Sequence, residues 1–378
     1  MADRGQRASF GSFRIAVIRR LWVTVLMLEN DVCMVNKRMI LFAKRFRSKA
    51  PSAASLSPIQ LADRRRVGFD FLPTPYYDTV SRGGGKEGGK TLINMTEILH
   101  LESPAKINLT LEILKRREDG YHELRTVYQK ISLHDTLHFS LKREKGISIT
   151  TDHPHLPVGR TNLVYKAAQS MLKGSGYKGG VEVKIDKRIP LGAGLGGGSS
   201  NAATTLKALN QLLELNLPRK ELMRMGSGIG ADVPFFFLKG AAIGSGIGEQ
   251  LKKKELPTLW YVLIYPNFEV STRWAYQNFV LTNQQFHFNL HKFLKTPEGI
   301  SRILFNHLEE VVSRKYPQIG IMKKILFSAG ALGALMTGSG PTVFGLFSEG
   351  KRAAAAYEKI KNLVGRRGWS VIKAHSIT

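Results

Sequence analysis

Pro190-Leu191-Gly192-Ala193-Gly194-Leu195-Gly196-Gly197-Gly198-Ser199-Ser200, followed by Asn201-Ala202-Ala203, is the stretch on which the fold turns. It lies after an alternating run, Val181-Glu182-Val183-Lys184-Ile185, and before an apolar-periodic run that reaches Leu215. The patterns predict a strand, a glycine-rich turn and then a helix from about Ser199 to Leu215. So many residues with little or no side chain would cost backbone entropy for no gain in a mere connection. Glycines let main-chain N–H groups approach an anion, and the next helix presents its free N–H groups and positive end to the same point. Ser199 and Ser200 are suited to cap that helix or to reach a phosphate or magnesium. The plainer alternative is an ornate helix start with no ligand. No lysine follows the glycines, so this is not a Walker loop. Gly192, Gly194 and Gly197 fit Gly-x-Gly-x-x-Gly, but the acid a dinucleotide fold needs further on, Glu214, falls within a helical pattern.

Outward from this turn, the chain mixes strands and helices without a strict βαβ rhythm. Lys106–Leu114 alternates as a half-buried strand, Arg117-Glu118-Asp119-Gly120 is a hairpin signal, and Leu124–Leu141 holds further strand-like runs. Asn162–Leu172 and Arg219–Met225 are helical; Val233–Leu238 is an apolar run. Trp260–Tyr265 is a strand, helical patterns fill much of 271–330, and Ala334–Phe347 and Trp369–Ala374 are strands around a helix at Lys351–Leu363. The expected class is α+β in two domains, 95–255 and 256–378.

The formal charge is +27, and residues 1–94 carry +10 of it. A basic balance favours polyanions: nucleic acid, anionic lipid or phosphorylated small molecules. The single cysteine, Cys33, excludes a disulfide framework and a cysteine-based zinc site. The best apolar run, Leu21–Leu28, is too short to span a membrane, and Glu29 and Asp31 end it, which argues against an export signal after Arg19-Arg20. Gly83–Lys90 has linker composition, and its codons would be as purine-rich as a ribosome-binding site. The expectation is that residues 1–94 are a disordered basic extension or a start-site artefact, and that the functional protein begins at or near Met95.

Pro-x-Gly-x-Gly-Leu-Gly-x-x-Ser-Ser resembles the nucleotide loop of the GHMP kinases, the small-molecule kinases that include galactokinase, homoserine kinase and mevalonate kinase. Ser103-Pro104-Ala105-Lys106-Ile107-Asn108-Leu109 resembles that superfamily's first motif, and Thr337-Gly338-Ser339-Gly340-Pro341-Thr342-Val343-Phe344 its third. Within it, Pro104–Asn108, Asp119-Gly120-Tyr121-His122-Glu123-Leu124 and Gly230-Ala231-Asp232-Val233-Pro234-Phe235-Phe236 are most similar to the 4-diphosphocytidyl-2-C-methyl-D-erythritol kinases. The resemblance runs from just after Met95 to about Ser348. It implies a ribosomal-protein-S5-like N-terminal domain and a ferredoxin-like C-terminal domain. It implies ATP with Mg2+, the small-molecule substrate 4-diphosphocytidyl-2-C-methyl-D-erythritol phosphorylated on its 2-hydroxyl, a cytoplasmic enzyme, and no nucleic acid or membrane partner. Other kinases of the superfamily, and an RNA-binding protein with an S5-like domain, are the alternatives.

Phosphoryl transfer to an alcohol needs an anion cradle, positive charge on the moving group and a carboxylate near the hydroxyl. Asp232, at a loop junction before an apolar run, is the expected proton acceptor; an N-cap aspartate is its bland alternative. Lys106, in an otherwise apolar strand start, is expected to pair with it, since an unpaired ammonium there would be costly. The alternative is an edge lysine with its head in water. Asn108 shares the strand face of Lys106 and is suited to bond the substrate or hold the pair. Under the resemblance, Tyr121 and His122 serve a pyrimidine, as a stacking ring and a partner for the base edge. Tyr276 is the second face of a cytosine sandwich, with Trp274 its rival, and Asn162 lies near the adenosine of ATP. No magnesium ligand is assigned.

Overall fold

The structure is a computed structural model that describes residues 98–281 and 290–378. The N-terminal extension, its linker and Met95 lie outside the described residues, as does the middle of the expected helical stretch after 271.

Two long antiparallel strands, β1 (Leu99–Arg116) and β2 (His122–Lys142), form the backbone of the first sheet, joined by the Arg117–Gly120 turn. Gly120 takes a left-handed conformation, φ 85°, which only glycine adopts freely. The sequence pattern breaks β2 into shorter runs; the structure makes it one strand of 21 residues. Register shifts at Pro104/Lys106, Asn108/Thr110 and Ile113/Lys115 let so long a ribbon bend. β3 (Gly146–Thr151) and β4 (Gly180–Asp186) run parallel, which requires a crossover, and α1 (Leu163–Ser175) supplies it. α2 (Gly197–Leu212) and α3 (Arg219–Ser227) follow, then a 3-10 turn at Val233–Phe237, then the hairpin β5 (Ala241–Ser245) and β6 (Gln250–Lys254). The sheet order is β3-β4-β2-β1, and β5 also pairs with β2. α1 and α2 cover one face: Val164, Ala167 and Met171 meet Ala202, Ala203, Leu206 and Leu209 over Leu137, Phe139 and Val183.

The second sheet begins with β7 (Trp260–Tyr265). Short helices α4 (Thr272–Gln277), α5 (Leu290–Phe293) and α6 (Pro297–Arg302) come next, then the two-residue β8 (Phe305–Asn306), which returns to pair with β1. α7 (His307–Lys315) and α8 (Gln318–Ser328) lead to β9 (Gly333–Met336) and β10 (Val343–Phe347); α9 (Gly350–Gly365) leads to β11 (Ser370–His375). The sheet is antiparallel, ordered β11-β7-β10-β9. Counted along the chain its order is four-one-three-two, with helices after the first and third strands. That is the ferredoxin-like split-βαβ arrangement expected. A third cluster joins the sheets: Ile107, Leu109 and Ile131 of the first pack with Tyr261, Leu263 and Phe344 of the second.

Candidate active site

β1 enters the site beneath the glycine-rich turn, and its Lys106 N–H donates to the Leu195 carbonyl at 2.9 Å. Gly192, Gly194 and Gly196 all have positive φ. Two of these glycines are dictated by what they touch. A Cβ on Gly194 would lie 2.2 Å from the Thr337 carbonyl, and one on Gly196 would lie 3.0 Å from Lys106 Cγ and 3.1 Å from Phe236 Cζ. The third glycine motif therefore abuts the second main chain to main chain. Gly196 is the N-cap of α2 and contributes no side-chain cap, so the helix start keeps N–H groups for an anion. Ser200 is instead buried and accepts from Ser103 Oγ at 2.8 Å.

The turn is anchored from below by Asp135, a fully buried carboxylate that sequence inspection passed over. It accepts from the Arg188 and Ile189 N–H groups, both at 2.8 Å, and from Asn201 Nδ2 at 3.0 Å, and pairs with Lys187 Nζ at 3.0 Å. One residue thus ties the strand side of the turn to the helix side.

Lys106 and Asp232 do meet: Nζ to Oδ2 is 3.6 Å. The shorter contact of the ammonium is to Asn108 Oδ1, at 2.7 Å. Asn108 is only 1% exposed and spends its amide within the protein, for Nδ2 donates to Thr126 Oγ1 at 2.8 Å. Of the two roles expected for it, the structure favours holding the pair over touching substrate. Its main-chain N–H donates to Thr337 Oγ1 at 2.9 Å, linking the first motif to the third. Asp232 is the N-cap residue of the 3-10 turn, as its plainer reading has it, but its side chain makes no cap bond and turns to other partners. Its Oδ1 accepts from the Tyr128 hydroxyl at 3.1 Å. Burial, with the charge of Asp232, pushes that phenol well above its usual range, so it stays a proton donor to the carboxylate. Tyr128 went unnoticed because the only signal for it is the β1–β2 register, which sets it opposite Asn108.

His122 and Tyr276 come together, with ring centroids 5.4 Å apart and nearly parallel planes. A third ring would need about 7 Å between them, so a base does not enter between these two. Tyr121 is 61% exposed at the hairpin mouth, free to supply the stacking face expected of it. Burial and then Arg116 hold the His122 imidazole below its ordinary value, so it is neutral at pH 7. Burial and the Asp232 charge raise the Tyr276 phenol, which puts this aromatic pair beside the carboxylate. Trp274 is engaged elsewhere, under Lys315 Nζ at 4.3 Å and against Tyr316. Asn162 caps α1: Oδ1 accepts from the Val164 N–H at 2.9 Å, and Nδ2 donates to the Pro157 carbonyl at 2.6 Å. Both ends of its amide are used within its own loop, although its neighbour Leu163 touches the Gly198 position.

A glycine cradle at a helix start, above a lysine–aspartate pair in a split-βαβ two-sheet fold, defines a GHMP-type small-molecule kinase. Descriptions of the "GHMP kinases N terminal domain" and "GHMP kinases C terminal" match residues 162–240 and 290–365. A 4-diphosphocytidyl-2-C-methyl-D-erythritol kinase of Syntrophotalea carbinolica is 46% identical, over 71% of this chain and 95% of its own length. One from Syntrophus aciditrophicus is 45% identical, over 74% of this chain and all of its own length. The crystal structure of a 4-(cytidine 5'-diphospho)-2C-methyl-D-erythritol kinase superposes with TM-score 0.64 at 34% identity, covering 74% of this chain and 100% of that one. A homoserine kinase from Cytophaga hutchinsonii, at 22% identity, shares the fold with TM-score 0.60, covering 77% of this chain and 98% of that one. The chain belongs to the 4-diphosphocytidyl-2-C-methyl-D-erythritol kinase family. It is therefore a phosphotransferase that uses ATP.

Proposed function

We propose that the enzyme moves the γ-phosphoryl group of ATP to the 2-hydroxyl of 4-diphosphocytidyl-2-C-methyl-D-erythritol, giving the 2-phosphate and ADP. The observation that carries this reading is the Lys106–Asp232 contact directly beneath two touching glycine loops. Main-chain N–H groups of 191–199, running into the start of α2, hold the phosphates. Asp232 Oδ2 accepts the proton of the attacking hydroxyl, while Tyr128 fixes its other oxygen. Lys106, steadied by Asn108, offsets charge on the transferring group. Tyr121, His122 and Tyr276 receive the cytosine, with the neutral imidazole bonding the base edge.

Among the described residues no cluster of three or more acidic or imidazole ligands exists, which fits a cation carried on the nucleotide better than a resident protein cage. Magnesium bound with ATP would neutralise phosphate charge, with Ser199, in the first turn of α2, the side chain suited to face it. Among the described residues no helix is long and apolar enough to cross a membrane. The reading goes with a cytoplasmic enzyme, a boundary between catalytic halves near residue 255, and no nucleic-acid partner.

The test is ADP release with ATP, magnesium and a panel of alcohols: the cytidyl substrate, homoserine, mevalonate and galactose. Release with the cytidyl compound alone is expected. Equal or greater release with another alcohol would overturn the specificity, and none with any would overturn the kinase reading.

A further inference from the structure

Two lysines that the transfer chemistry does not use converge on one carbonyl. Lys130, on β2, donates through Nζ to the Phe236 carbonyl at 3.0 Å and also to the Leu238 carbonyl. Lys207, on α2, donates to the same Phe236 carbonyl at 2.7 Å. Lys130 is 6% exposed and its acceptors are main-chain oxygens. It also lies 5.7 Å from the Phe235 ring centre, and Lys207 lies 5.3 Å from that of Phe237. Phe236 and Leu238 stand at the C-terminal end of the 3-10 turn whose first residue follows Asp232. Cations at a helical C-terminus are favoured by its dipole, but here two are brought together, and Lys106 is the cross-strand partner of Lys130. An arrangement that places a second lysine beside a buried one needs a reason.

The geometry assigns Lys130 and Lys207 the role of positioning residues: together they clamp the far end of the 3-10 turn and so fix Asp232 against Lys106 and Tyr128. The strand makes this coherent. Thr126, Tyr128 and Lys130 follow one another at a period of two along β2. They bond Asn108, Asp232 and Phe236 in turn. Lys207 reaches in from the helix that the glycine loop starts, so cradle, strand and turn are tied at one oxygen. Burial, helped by Lys207, lowers Lys130 to about 7, the mark of an ammonium kept in a costly place.

This inference rests on the proposed kinase reading, so its test has one arm that needs no activity. Lys130→Met, Lys207→Met and Lys207→Arg are prepared in the full chain, and a cooperative melt confirms that each is folded. First, amide hydrogen exchange is followed across 232–238. Faster exchange in both Met variants, with the Arg variant resembling the parent, is expected; unchanged protection in folded Lys130→Met would overturn the clamp. Second, steady-state kinetics are measured with ATP and the cytidyl substrate. A kcat loss of ~10–100-fold with KM for both substrates near the parent value is expected, because a small misplacement of a reacting group costs rate rather than binding. Parental kcat in folded Lys130→Met would also overturn it. An inactive parent enzyme would count against the kinase reading only, and the exchange arm would still decide the clamp.

Discussion

Gly196→Ala puts a single methyl group where the glycine loop meets the Lys106 side chain. The backbone there has φ 70°, a region that costs an L-residue about 1–2 kcal/mol. The new Cβ would sit 3.0 Å from Lys106 Cγ and 3.1 Å from both Lys106 Cε and Phe236 Cζ. Ordinary carbon contacts lie at about 3.5–4.0 Å, so the lysine stem must give by roughly half an ångström. It is held by the 2.7 Å bond to Asn108, and moving it draws Nζ from both Asn108 and Asp232. Phe236 cannot yield freely either, since its carbonyl is bonded by two lysines. Strain and crowding together should destabilise by about 1–3 kcal/mol, a fall of several degrees in melting temperature. The rate should fall ~10–100-fold, by displacement of the ammonium. From sequence, a bulky residue at 196 would be expected to exclude phosphate and so abolish nucleotide binding. The structure directs the Cβ at Lys106 instead, so kcat should fall more than ATP affinity. Steady-state kinetics beside thermal melts and nucleotide titration read all three. Parental kcat in a folded Gly196→Ala enzyme would refute the argument, and so would loss confined to ATP affinity.

Three further outcomes follow from the same geometry. His122→Ala should weaken the cytidyl substrate much more than ATP, since only the base edge loses a partner; because burial lowers the imidazole from its ordinary value, the parent's cytidyl affinity should fall as the solution is acidified, at a lower pH than an ordinary histidine would set, as isothermal titration would show. Tyr128→Phe should lower kcat by roughly 10–100-fold, the worth of a bond to a charged group, with little change in KM. Lys130 binds its proton less tightly folded than unfolded, so between its folded value of about 7 and its ordinary 10.5 the unfolded chain holds more protons; its burden on stability is full below 7 and is relieved as pH rises above it, and melting curves at pH 7 and 9 should show a gain in the parent that Lys130→Met lacks.

Much of this was legible in the residues because local patterns carry it. The glycine run after an alternating strand announces an anion loop whatever surrounds it, and α1, α2, α9 and β7 form within a few residues of where periodicity places them. Lys106 and Asp232 could be proposed as partners from the cost of a lone ammonium in an apolar strand. What stayed hidden depends on register and on contacts between distant segments. No sequence pattern shows that three consecutive same-face residues of β2, Thr126, Tyr128 and Lys130, would meet Asn108, Asp232 and Phe236. Nor does one show that Asp135 would reach across to Lys187 and Asn201. Asn162 illustrates the opposite limit: a residue taken from motif resemblance for the nucleotide also caps α1 and bonds the Pro157 carbonyl, a structural part that the motif alone does not announce.

In the proposed reaction Asp232 takes the substrate's proton within a Lys106–Asp232 centre that transfers phosphate to a specific hydroxyl. A single-turnover comparison of the parent and Asp232→Asn, with ATP, magnesium and the cytidyl substrate all saturating, tests it most directly. Rapid quenching gives the rate of transfer, and phosphorus NMR of the product gives its position. The account predicts a 2-phosphate from the parent and a transfer rate in Asp232→Asn lower by ~10²–10⁴-fold, with both substrates still bound, because the amide keeps the shape of the carboxylate but cannot accept the proton. Transfer at the parental rate in Asp232→Asn, or a phosphate at another position in the parent's product, would contradict it.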